Sequence, residues 1–112
     1  MSDNTFDEFW LHYLRAHSHR LTRLIHYAGI STILAGFAAA FWADKWWLAL
    51  AGLIAGYTIA GSAHYVVQGN RPVLFEGAQA SLWSIACALR MYVLGLTGRL
   101  KPELVRAGIE TA

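Results

Sequence analysis

YAGISTILAGFAAAFWADKWWLALAGLIAGYTIAGSAHYVV, Tyr27 to Val67, decides the fold. On either side of Asp44-Lys45 the stretch carries no Asp, Glu, Lys or Arg. Two apolar runs joined by a two-residue polar turn predict a helical hairpin in lipid, since a helix satisfies its own backbone where water is absent. The second arm, 46–67, is about 22 residues, enough to span a ~30 Å hydrocarbon core. The uncharged part of the first arm is ~24 Å long, slightly short of that core. Its polar beginning, His19, Arg20, Arg23 and His26, must therefore lie at a membrane face. Trp42, Trp46 and Trp47 stand where an aromatic belt would stand. Gly52, Gly56 and Ala60 form a small-xxx-small ridge, and Gly36 with the nearby alanines offers a matching surface.

Composition agrees. Charged residues are 14% of the 112-residue chain, against roughly 25% in soluble domains, so a water-facing coat is lacking. A net charge of +2 provides no basic stripe for nucleic acid. Cys87 stands alone in an apolar segment and reads as a small hydrophobe. Met1-Ser2-Asp3-Asn4 is polar and acidic, unlike the start of a signal peptide. The length fits one membrane domain, 1–112.

Outward from the hairpin, Thr5-Phe6-Asp7-Glu8 reads as a capping box opening a helix over 6–16. Phe6, Phe9, Trp10, Tyr13 and Leu14 share one face of it. Short and amphipathic, it suits the membrane interface. His17-Ser18-His19 breaks the chain, and Ser18 is the expected cap of the next helix, 19–43. Gln68-Gly69-Asn70-Arg71-Pro72 is a polar loop. A fourth apolar helix is expected over 78–97, ended by Gly98 and interrupted by Arg90, which could snorkel to the interface. An amphipathic tail covers 99–112. The fold class is thus all-α, a small integral membrane bundle of about four helices. Arg15, Arg20 and Arg23 before the first span and Arg71 after the second place the N-terminus and the 68–77 loop in the cytoplasm.

The hairpin brings the start of one arm and the end of the other to the same face. His19, Arg23 and His26 share a helix side by their spacings of four and three, as do His64 and Gln68. With Asn70 and Arg71 they form one polar cluster, in which neutral imidazoles suit zinc, iron or copper. Each histidine could instead bond headgroups and water, and His12 on the first helix is best read that way. Arg23 and Arg71 could hold phosphate headgroups or a substrate carboxylate. Gln68 and Asn70 could simply satisfy loop backbone. A bis-histidine haem between His26 and His64 stays open. There is no phosphate-binding Gly-rich loop, CxxC pair or nucleophile elbow.

FWLHYLRAHSHRLTRLIHYAG, Phe9 to Gly29, resembles the N-terminal motif of the domain of unknown function 962 family, Y-x-x-x-H-x-N-x-x-x-R-x-x-H-x-x-G. AGYTIAGSAHYVVQGNRP, Ala55 to Pro72, resembles its second motif, G-H-F-x-x-E-x-N-R-P, and RMYVLGLTGRL near the end matches the usual ending. The resemblance implies kinship with the fungal ferrous-iron dioxygenase that shortens a 2-hydroxy fatty acid by one carbon. It implies Fe(II) at His17, His26 and His64, with Arg23 and the Asn70-Arg71-Pro72 turn at motif positions. Where the family has Glu this chain has Gln68, and where it has Asn this chain has His19, a substitute ligand candidate. The implied partners are membrane lipid and a lipid-derived 2-hydroxy acid, with a homo-oligomer as an open possibility. A non-catalytic lipid-binding scaffold is the alternative.

Overall fold

The structure is a computed structural model describing residues 5–111, so the reading of Met1 to Asn4 falls outside the described residues. Five α-helices, a π-helical turn and a short 3-10 turn account for the regular structure, with no strand among the described residues. The chain forms two compact units, residues 19–69 and residues 5–18 with 70–111.

The first unit is the hairpin. Helix α2 spans Arg20–Ala43 and α3 spans Trp47–Ala63, followed by a π-helical turn over His64–Gln68. Asp44 ends α2 in the left-handed region (φ 54), its N–H donating to the Ala40 carbonyl. That residue supplies the reversal expected at Asp44-Lys45. The two helices meet backbone to backbone. A Cβ built on Gly36 would lie 2.8 Å from the Gly52 Cα, and one on Gly29 would lie 2.6 Å from the Gly56 carbonyl oxygen. The ridge anticipated at Gly52, Gly56 and Ala60 is therefore the contact surface, with Gly29 as an additional partner. Arg20–Ala43 and Trp47–Gln68 are both long and apolar enough to cross a membrane. Their most apolar windows are only 17% and 28% buried within the protein, unlike the core helices of a soluble domain. Phe41, Trp42, Trp46 and Trp47 at the reversal are exposed. Such surface needs a covering, and the two helices point to membrane association.

The second unit packs α1 (Phe6–Arg15), a 3-10 turn (Val73–Phe75), α4 (Ala78–Leu96) and α5 (Lys101–Arg106) together. Thr5 caps α1, its Oγ1 accepting from the Glu8 N–H at 3.2 Å. The box closes differently from expectation, because the Glu8 carboxylate accepts from the Thr5 hydroxyl at 3.1 Å. Phe9, Trp10, Tyr13 and Leu14 form the predicted apolar face and are buried. The face read as lying against lipid is thus covered by protein, since α1 packs on α4 and α5. Trp83 takes Phe6 and Phe9 edge-on at centroid distances of 5.6 and 5.4 Å. On α4, Ala80, Ser84, Cys87 and Met91 are buried, at spacings of four, three and four.

Arg90 does not simply snorkel. Its guanidinium lies 4.6 Å over the Trp10 ring and 3.5 Å from Glu103 Oε1. The Trp10 indole N–H donates to the same oxygen at 2.8 Å. Arg106 bridges Glu103 and Asp7 at 2.9 and 2.7 Å. One carboxylate therefore joins α1, α4 and α5. Gly98 (φ 72) terminates α4 as the sequence predicts, with the Arg99 N–H reaching the Leu94 carbonyl at 2.8 Å. The tail read as one amphipathic stretch is a six-residue helix, α5, followed by turns.

Candidate metal centre

His26 and His64 face each other across the hairpin. Their ring centroids lie 6.1 Å apart with the planes at 89°. His64 is fully buried, and His26 is half-buried with its Nδ1 shut off from solvent. The pairing follows from the hairpin register. Gly36 opposes Gly52, Gly29 opposes Gly56 and Ala60, and the next turn along brings His26 to His64. The wide π turn begins at His64 itself and closes at Gly69 (φ 74), whose N–H donates to the His64 carbonyl. Such turns within helices are frequent at functional sites. Sequence periodicity predicts plain helix to Val67 and carries no signal for it.

His17 is fully buried at the end of α1. Its Nδ1 is 2.7 Å from the Tyr13 carbonyl oxygen, and its ring stacks on Tyr13 at 4.2 Å. A carbonyl can only accept, so Nδ1 carries the proton, and in the neutral ring Nε2 then carries the lone pair. A backbone carbonyl on the far nitrogen is the usual support of a metal-binding imidazole. His17 of the α1 unit and His26 and His64 of the hairpin are the three candidate metal-ligating histidines, His17 and His64 buried and His26 half-buried.

The other candidates have other work in the structure. His19 is exposed, and it rather than Ser18 is the α2 cap, its Nδ1 accepting from the Leu21 N–H at 3.1 Å. Helix capping diverts it from the three-histidine set, which does not include it. Gln68 Oε1 accepts from the His19 backbone N–H at 3.0 Å, tying the π turn to the start of α2. Asn70 Nδ2 donates to the Ala16 carbonyl at 3.1 Å, satisfying an orphan group at the end of α1. Both amides thus serve backbone groups. Arg23 is buried, on the same side of α2 as His26, and Arg71 is exposed. His12, set apart in the sequence reading, meets Glu76 at 2.9 Å.

Sequence reasoning passed over Thr22. It is fully buried, one turn before His26, and its hydroxyl has no hydrogen-bond partner. Threonine is common in helices, so its type raises no signal.

Comparison with curated proteins and with solved structures gave no match. A family model described as "2-hydroxy-palmitic acid dioxygenase Mpo1-like" matches residues 3–100, which include all three histidines and both polar motifs, and the chain belongs to that Mpo1-like family.

Proposed function

We propose that this protein is an iron-dependent membrane oxygenase that shortens 2-hydroxy fatty acids by one carbon. The observation that carries the reading is the facing pair His26 and His64 inside the hairpin of a chain of this family, with His17 as the proposed third ligand. Neutral imidazoles suit ferrous iron, and three of them leave positions open for substrate and dioxygen. Bound there, iron would supply dioxygen binding and activation beside the substrate.

The chain's own residues set the rest. The Tyr13 carbonyl holds His17 in the tautomer that presents Nε2. With Gln68 where the family has a carboxylate, the donor set is uncharged, and an anionic 2-hydroxy acid supplies the missing negative charge. Arg23, buried on the α2 side that carries His26, is suited to the acid's carboxylate. The acyl chain lies along the apolar hairpin surface or in the surrounding lipid. The reaction balances without an outside reductant. A 2-hydroxy acid and dioxygen give the acid one carbon shorter, carbon dioxide and water, with all electrons coming from the two carbons nearest the head.

Haem is disfavoured as an occupant. Gly29, one turn beyond His26, has its backbone against Gly56, and a macrocycle would force the helices apart. The distribution of arginines further suggests a cytoplasmic site.

Purified protein loaded with ferrous iron and given 2-hydroxyhexadecanoic acid under air is expected to yield pentadecanoic acid by mass spectrometry. His64→Ala should lose iron by metal analysis while keeping its helical content, and His12→Ala should keep its iron. Bound iron with no turnover across several chain lengths overturns the enzyme reading. A wild-type protein that takes up no iron favours a lipid-binding scaffold, and a Soret band would favour haem.

A further inference from the structure

Thr22 has no part in the three-histidine set, yet its environment calls for an explanation. Its side chain is fully buried and its hydroxyl meets no partner. Burying a hydroxyl without a hydrogen bond is costly, and natural interiors rarely leave one so. A threonine inside a helix commonly bonds back to the carbonyl four residues earlier, as Thr32 does to Ala28 and Thr58 to Ile54 in the same hairpin. Thr22 does not.

Its position is fixed by the hairpin register. Thr22 and His26 are four residues apart and share a side of α2, about 6 Å apart along the axis. Toward one end of that stripe His26 meets His64, and toward the other the His19 N–H meets Gln68. Thr22 falls between these two contacts along α2, with buried Arg23 as its neighbour in sequence. A group that can both donate and accept is thus held, unsatisfied, in the polar layer at the open end of the hairpin.

We propose that Thr22 is a substrate-binding residue whose hydroxyl hydrogen-bonds the oxygen-bearing head of the bound 2-hydroxy acid. This rests on the substrate class proposed above. The hydroxyl lacks a partner in the protein because the substrate head provides it. Thr22 binds and orients the acid and is not a metal ligand.

The test uses full-length protein, loaded with iron and kept anaerobic to prevent turnover. Wild type, Thr22→Val and Thr22→Ser are compared for binding 2-hydroxyhexadecanoic acid and hexadecanoic acid. Valine keeps the shape and removes the hydroxyl, while serine keeps the hydroxyl. Thr22→Val should hold as much iron as wild type, and without acid it should melt at the same temperature or higher, since it removes an orphan polar group. Its affinity for the 2-hydroxy acid should fall roughly three- to tenfold, the worth of one hydrogen bond, and Thr22→Ser should restore it. A loss confined to the 2-hydroxy acid assigns the contact to the hydroxyl of the head, and an equal loss with both acids assigns it to the carboxylate. Either result supports the proposal. Unchanged affinity for both acids overturns it, as does a lower melting temperature of acid-free Thr22→Val, which would mean a resident structural partner. If wild-type protein holds iron but binds neither acid, the substrate reading itself has failed and the Thr22 proposal falls with it.

Discussion

Where α2 meets α3, the contact is made by what is missing, with Gly36 against Gly52 and Gly29 against Gly56. Where α1 meets α4 and α5, the contact is made by bulk and charge. Trp10 lies fully buried under Arg90, and Glu103 gathers an indole and two guanidinium groups. Each solution suits its surface. Helices with apolar outer faces gain little from apolar side chains between them when lipid is the alternative, so close backbone packing has to supply the attraction. The α1 unit has an amphipathic helix to bury, and an aromatic core stabilises it as in a soluble domain. The histidines divide accordingly. His26 and His64 are placed by glycine register, and His17 by an aromatic stack and a carbonyl.

The contrast can be broken from either side. The largest effect is expected at Trp10→Ala, which empties the core of the α1 unit and leaves Glu103 and Arg90 without their indole. A loss of about 3–5 kcal/mol is expected, read as a lowered unfolding midpoint in detergent. A loss well below this would show that the unit does not depend on its aromatic core.

Gly36→Ala should come next. The new Cβ meets the Gly52 Cα and the Leu48 carbonyl, both backbone atoms, so no side chain can swing aside. About 1–3 kcal/mol of destabilisation is expected, together with weakened iron binding as the register that pairs His26 with His64 loosens. The same change at Gly61, where nothing lies within 4 Å of the added carbon, should be neutral or stabilising by up to ~1 kcal/mol, since alanine favours helix. If the two alanines behave alike, the backbone contact is not what holds the hairpin.

Glu103→Ala sharpens the comparison with a similar or smaller effect. It strands the indole N–H of a fully buried tryptophan, which costs roughly 1–3 kcal/mol. The partly exposed arginines should add little beyond that. The pairing of His26 with His64 should persist, because no residue of the Glu103 network lies in the hairpin. Glu103→Gln, which keeps an acceptor for the indole, should recover most of the loss.

Several features needed nothing beyond the order of residues. The capping threonine, the two apolar runs, the reversal at Asp44 and the glycine after α4 act over a few residues, so local chemistry is sufficient to reveal them. That His26 and His64 would meet was legible because the hairpin fixes which ends come together, whereas His17 was marked only by the family resemblance. Tertiary structure decided the partners. The sequence shows that Arg90 interrupts an apolar helix but not that Trp10 and Glu103 receive it, more than ten residues away in the chain. Gln68 and Asn70 look like site residues until their amides are seen on backbone groups, and His19 looks like a ligand until its ring caps a helix. The π turn at His64 and the orphan hydroxyl of Thr22 leave no mark in composition or spacing. A hydrogen bond depends on distance and angle between groups that the chain brings together only on folding, so the sequence can supply the donor while the fold alone selects what it meets.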